Sequence, residues 1–141
     1  MKPYKIGYTT GTFDLFHVGH LNILKNAKQF CDILIVGVTS DEKVINQKNK
    51  IPIIKEDDRI EIVSSIKYVD IALLHTDNNK FDAYAKYKFD VVFIGSDYYD
   101  HPEYKDLEEK SLELLGKKVD VIYFPYTEKI STTKITQKIS N

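Results

Sequence analysis

The sequence predicts an α/β fold in which a five-stranded parallel sheet lies between two layers of helices. Three observations carry that reading. Short apolar runs alternate with stretches of helical spacing along the chain. The run Asp32–Val38 (DILIVGV) is apolar almost without a break, as in a strand buried on both faces. The chain has 141 residues, 43% hydrophobic and 29% charged, with no repeat and no Pro/Gly/Ser-rich linker, so residues 1–141 are expected to form one domain with a substantial core. Alternating strands and helices imply right-handed βαβ units and a Rossmann-like three-layer α/β/α sandwich.

Each element follows in order. Ile6–Thr10 is a short first strand. Val18–Phe30 places Leu21, Leu24 and Ala27 at helical spacing, and Asp32–Val38 is the second strand. The polar stretch Thr39–Lys55 follows, helical in part. Asp57–Ile66 is a helix with Ile60, Ile62, Val63 and Ile66 apolar, and Val69–Leu74 is the third strand. Lys80–Tyr87 is a helix, Val91–Ile94 a strand ended by Gly95, and Lys105–Leu115 a helix ended by Gly116, where glycine is favoured. Val119–Phe124 is the fifth strand and Ser131–Ile139 the closing helix.

Composition excludes several function classes. A net charge of −1 excludes a strongly basic nucleic-acid binder and an acidic disordered tail. Cys31, the single cysteine, can form neither an internal disulfide nor a multi-cysteine metal site. The start, MKPYKIGYTTG, lacks the apolar run of a signal peptide, and no long apolar stretch follows, so a cytoplasmic setting without a membrane partner is expected.

In such sheets ligands gather at the carboxyl ends of the strands, near the reversal in strand order. The segments there are TGTFDLFHVGH, TSDEKVINQKNK, GSDYYD and PYTEKISTT, after strands one, two, four and five, and they are expected to share one rim. In His17-Val18-Gly19-His20 the two histidines lie three apart at a helix start, where unpaired N–H groups bind anions. Two imidazoles there can cradle charge developing on a phosphoryl oxygen. A metal reading lacks a third ligand nearby, since His75 and His101 are distant in sequence. Gly19 and Gly11 let a ligand approach the main chain. In Gly11-Thr12-Phe13-Asp14, Phe13 is expected in the core and Asp14 is suited to holding the turn. No G-x-G-x-x-G and no G-x-x-x-x-G-K-[ST] occurs, which argues against a dinucleotide-binding domain and a P-loop NTPase. Ser131, Thr132 and Thr133 open the last helix as cap or phosphate ligands. Lys48, Lys50 and Arg59 are the candidate counter-charges for polyphosphate. Arg59 is the one arginine among 20 basic residues, which suggests a need for its fork of donors, with a surface ion pair to Glu56 or Glu61 as the alternative.

Together, GTFDLFHVGH, the KNK segment, Arg59 and TEKISTTKI resemble the cytidylyltransferases, the glycerol-phosphate branch in particular, over about residues 5–139. The resemblance implies transfer of CMP from CTP to a small phosphorylated alcohol such as glycerol 3-phosphate, giving CDP-glycerol and pyrophosphate, with Mg²⁺ as cofactor and a homodimer as the assembly. It implies that His17 and His20 stabilise the transition state together with Arg59. It assigns Thr10, Gly11, Thr12, Phe13, Gly19, Lys48, Lys50, Ser131, Thr132 and Thr133 to the nucleotide. Asp14, Asp97 and Tyr126 fall to the acceptor. Tyr126 and Lys129 stand where the family motif has arginine and glycine, and Gly95-Ser96-Asp97-Tyr98 stands where related members have G-D-D-W. Other readings are a different acceptor (choline, ethanolamine, another polyol or a sugar phosphate), an adenylyltransferase, or a non-catalytic nucleotide-binding subunit. Both histidines together with Arg59 argue against the last.

Overall fold

The computed structural model describes residues 2–95, 102–125 and 132–140. Its elements are β1 (Tyr4–Gly11), α1 (Val18–Lys28), β2 (Cys31–Thr39), α2 (Asp41–Lys48), α3 (Glu56–Ser64), β3 (Ile71–His75), α4 (Lys80–Tyr87), β4 (Val91–Gly95), α5 (Pro102–Leu115), β5 (Asp120–Phe124) and α6 (Thr132–Ser140). The strands form one sheet in the order β3-β2-β1-β4-β5, and every pairing is parallel. The three-layer expectation therefore holds, and the strand order reverses between β1 and β4.

Two apolar clusters, one on each face of the sheet, fix where the helices sit. Leu24 and Ala27 of α1 and Val63 of α3 pack with Leu34, Val36, Val38 and Phe93. Ala83 and Tyr84 of α4 and Tyr104 and Leu107 of α5 pack with Tyr8, Ile35 and Val92. Residues adjacent in a strand point to opposite faces, so Leu34 and Ile35 supply one cluster each. Helices α1 and α4 thus reach the carboxyl rim of the sheet from opposite faces.

Most element boundaries agree with expectation to within a residue or two. The polar stretch after β2 contains α2, capped by the Ser40 side chain accepting from the Lys43 N–H and ended by Asn49 in the left-handed region. Gly116, at φ +68, ends α5 as expected. Strand β3 runs to His75, one residue past the expected end, which puts that imidazole on the rim. None of the described helices is long and apolar enough to cross a membrane.

Candidate active site

A cavity of about 540 Å³ opens over the carboxyl ends of the strands at the reversal point. It is lined by Thr10–Asp14 at the end of β1, His20 on α1, Lys48 and Lys50 at and after the end of α2, and Thr132 at the start of α6. The expected sharing of one rim thus holds for the loops after β1 and β2 and for the start of α6. Ser96 to Asp100 and Tyr126 to Ser131, and with them the expectations for Asp97, Tyr126 and Ser131, lie outside the described residues.

His17 is the N-cap of α1, and its Nδ1 accepts from the Gly19 N–H at 3.0 Å. His20 reaches back, its Nδ1 accepting from the His17 N–H at 3.2 Å, and the two rings stack with centroids 3.8 Å apart. A nitrogen that accepts a backbone N–H carries no proton, so each neutral ring carries its proton on Nε2. Burial lowers the pKa of His17. Burial, the neighbouring His17 and Lys48 bring His20 down to about 4, against a smaller opposing pull from Asp14. Both rings are therefore neutral Nε2–H donors at pH 7. His20 lines the cavity, and the Nε2 of His17 is buried with no partner among the described residues. Gly19, buried beneath them, supplies the capped N–H.

The turn before α1 is strained. Phe13 and Leu15 adopt φ of 55° and 49°, unusual for bulky side chains. Asp14 between them is buried, and its carboxylate accepts from the N–H groups of Ile53 and Ile54 at 2.8 and 2.9 Å. Its side chain holds the distant segment that follows Lys50, not its own turn. Its carbonyl accepts from the Thr132 hydroxyl at 2.8 Å, which ties the start of α6 to the same turn. Gly11 gives its space to Phe13: a Cβ there would lie 2.9 Å from the Phe13 ring. Phe13 is buried as expected. Thr133 is exposed, and the described lining of the cavity does not include it.

Arg59 departs from expectation. Its side chain is fully buried, and its partners are protein atoms. Nε donates to the Ile54 carbonyl, Nη1 to the carbonyls of Thr12 and Thr39, and Nη2 to Asp41 at 2.5 Å. The polyphosphate role is thus corrected to a structural clamp on the ends of β1 and β2, and the surface pair with Glu56 or Glu61 is corrected to one with Asp41. The physical reason is that only a planar fork satisfies four acceptors at one buried point.

Sequence reading missed a second group of side chains on the same cavity. Lys80, at the start of α4, donates to the Thr10 hydroxyl at 2.8 Å, as Lys48 does to the Thr12 hydroxyl at 3.3 Å. Lys43, His75, Asn78 and Glu103 stand with Lys80. The signal was available, because His75 ends β3, Lys80 follows it, and the carboxyl-end rule applies to every strand.

A parallel sheet carrying a cavity of lysines and neutral histidines over its reversal point is the arrangement of a nucleotide-binding α/β protein. A model of the cytidylyltransferase-like family matches residues 8–138, and the chain belongs to that family. It is 37% identical over 134 residues to the FAD synthase of Pyrococcus abyssi, covering 92% of this chain and 88% of that one. It is 36% identical over 133 residues to the glycerol-3-phosphate cytidylyltransferase of Staphylococcus aureus, covering 93% and 92%. Among solved structures, a lipopolysaccharide core biosynthesis protein from Thermoplasma volcanium superposes with a TM-score of 0.75 at 30% identity, over 89% of this chain and 99% of that one.

Proposed function

We propose that the chain transfers CMP from CTP to a small phosphorylated alcohol, glycerol 3-phosphate in the first instance, with release of pyrophosphate. The observation that carries this reading is His20, neutral and on the cavity wall at a helix N-terminus, with His17 stacked on it and both rings capped on Nδ1 and protonated on Nε2. A phosphomonoester loses its second proton near pH 6, so its oxygen is already a nucleophile at neutral pH and needs no general base. That oxygen attacks the α-phosphorus of CTP, a new P–O bond forms, and the bond to the leaving pyrophosphate breaks. Catalysis is then positioning and charge stabilisation. His20 and His17 donate to the oxygens on which charge grows, and the unpaired N–H groups of α1 add to the field. Lys48 and Lys50 neutralise the β- and γ-phosphates. Arg59 acts as a positioning residue, through Thr12 and Thr39.

No group of three or more His, Cys, Asp or Glu that could hold a metal occurs among the described residues. The donors fit Mg²⁺ delivered on the triphosphate, since that ion takes most of its ligands from phosphate and water. When bound it neutralises charge on the phosphates.

Adenylyl transfer is the second reading, favoured by the similarity to FAD synthase. A lining of Lys43, Lys80, His75 and Asn78 is polar, which suits a small hydrophilic acceptor better than a flavin ring. Pyrophosphate release measured with CTP and ATP against glycerol 3-phosphate, phosphocholine and FMN separates these readings. Turnover with CTP and glycerol 3-phosphate is expected. A clear preference for ATP with FMN would replace this reading.

A further inference from the structure

We propose that Asp14 is the positioning residue of the phosphate grip: its carboxylate clasps the far end of the Lys48–Lys50 segment to the histidine turn, so that both lysines and His20 meet one nucleotide in a fixed register. The inference rests on the transfer reading above. It moves Asp14 from the acceptor, where the resemblance put it, to the ordering of the site.

Residues 49–55 belong to no helix or strand. Apolar burial holds them weakly, since Pro52 is buried but Ile51 and Ile53 are 77% and 60% exposed. Among the described residues, the hydrogen bonds that residues 51–54 make to the rest of the chain go to Asp14 and Arg59. Asp14 accepts from the Ile53 and Ile54 N–H groups, one on each carboxylate oxygen. Arg59 Nε donates to the Ile54 carbonyl, so both backbone groups of Ile54 are held. Arg59 Nη1 donates to the Thr12 carbonyl at 2.7 Å, two residues before Asp14, and the ring of bonds closes on the histidine turn.

The near end of the segment meets the same three residues. Lys48 Nζ donates to the Thr12 hydroxyl. The chain from Lys48 to Ile53 is therefore pinned at both ends to Thr12–Asp14, with Lys50 between the pins. Lys48, Lys50, Asp14 and His20 line one cavity.

The local backbone aims this carboxylate. Phe13 and Leu15, on either side of it, both take left-handed φ. Strain of that kind persists where the surroundings over-determine it. Here the determinants meet on Asp14, whose side chain holds Ile53 and Ile54 and whose carbonyl takes the Thr132 hydroxyl. Charge points the same way. A carboxylate presented to the interior of a phosphate-binding cavity would repel the ligand. Asp14 is only 6% exposed, and its two oxygens are turned to N–H donors of the segment.

Asp14→Asn tests the clasp, since it keeps the shape but sets an NH₂ group against one of the two N–H donors. In the free protein, trypsin cleavage after Lys50 should speed about fivefold or more, while cleavage after Lys25 and Lys86, inside α1 and α4, stays within about twofold. With CTP and glycerol 3-phosphate, the KM for CTP should rise about tenfold or more and the KM for glycerol 3-phosphate less than about twofold. Equal acceleration at all three lysines would show general loosening and overturn the proposal. A rise in the KM for glycerol 3-phosphate as large as that for CTP would return Asp14 to the acceptor and overturn it too, as would an unchanged KM for CTP. If the wild-type chain turns over neither substrate, the transfer reading fails by itself, and the cleavage rates still decide the clasp. Should Asp14→Asn not fold, Asp14→Glu keeps the charge and displaces the clasp by one methylene. Its cleavage after Lys50 should be about twofold faster or more, and an unchanged rate there overturns the proposal.

Discussion

The backbone N–H of His17 donates to Nδ1 of His20 at 3.2 Å, so each histidine serves the helix cap with one nitrogen and keeps a donor on the other. The two tasks are separable by substitution. In His20→Gln the amide oxygen can still accept from the N-cap N–H, as glutamine does at this helix position, but the imidazole donor is gone. Its kcat for pyrophosphate release should fall about 100-fold or more with Tm nearly unchanged, since one oxyanion donor contributes on the order of 3 kcal/mol. His17→Ala should in addition lose about 1 kcal/mol of stability with its cap. A His20→Gln enzyme turning over at the wild-type rate would remove the pair from the chemistry.

Acid stability follows from two other facts about the imidazoles. His20 and His75 are each held near pKa 4, mainly by burial, against an ordinary 6.5. Between about pH 4 and 6.5 the unfolded chain binds protons that the folded chain refuses. Stability from these groups is therefore constant above pH 6.5 and falls as pH drops through that window, by up to about 1.4 kcal/mol per unit for each histidine. Urea melts at pH 7.5, 6, 5 and 4.5 should show the decline, and His75→Gln should make it shallower. Equal midpoints at pH 7.5 and 5 would mean that the rings are hydrated and ordinary.

The sheet was legible because burial on both faces writes apolar runs such as DILIVGV directly into the chain. Helix α2 was only partly legible because Val44 is its single buried residue, too few for an apolar stripe. Its caps, Ser40 and Asn49, could have marked its ends, but the sequence reading did not use them. The histidine pair was legible because both members lie on one turn. Arg59 was half legible: its rarity pointed to a need for a fork, but its acceptors are carbonyls 5, 20 and 47 residues away, which no local pattern reveals. Lys80 was legible as a rim residue from its place after β3, but its bond to Thr10, 70 residues distant, was not.

Arg59→Lys should act on folding first. Lysine keeps the charge but cannot reach the Ile54, Thr12 and Thr39 carbonyls and Asp41 together. Breaking a buried charged network costs about 3–5 kcal/mol, and retention of the positive charge places this variant at the lower end. Chemical denaturation without nucleotide reads it directly. Unaltered stability combined with weakened CTP binding would restore the polyphosphate role that the buried geometry opposes.

Gly37→Ala should disturb the α4 side of the cavity and spare the histidine side. The added methyl would lie 2.8 Å from the Tyr8 oxygen, and that ring cannot swing away because it is fully buried and stacked on Phe89 at 4.8 Å. The remaining neighbours are Thr10 Cγ2 and His75 Cβ, so strain passes to the two residues that flank the Lys80 ammonium. A tight fit of this kind costs about 1–3 kcal/mol in stability. The informative readout is the split between substrates. The KM for glycerol 3-phosphate should rise several-fold while the ligand-induced rise in Tm with CTP and Mg²⁺ is retained, because Thr12, Lys48 and His20 lie beyond the clash. Adding Tyr8→Phe removes the clashing oxygen and should recover much of the lost KM. Loss of the CTP-induced shift in Gly37→Ala would show instead that the nucleotide extends over β2 and that the two sides of the cavity are not divided between the substrates.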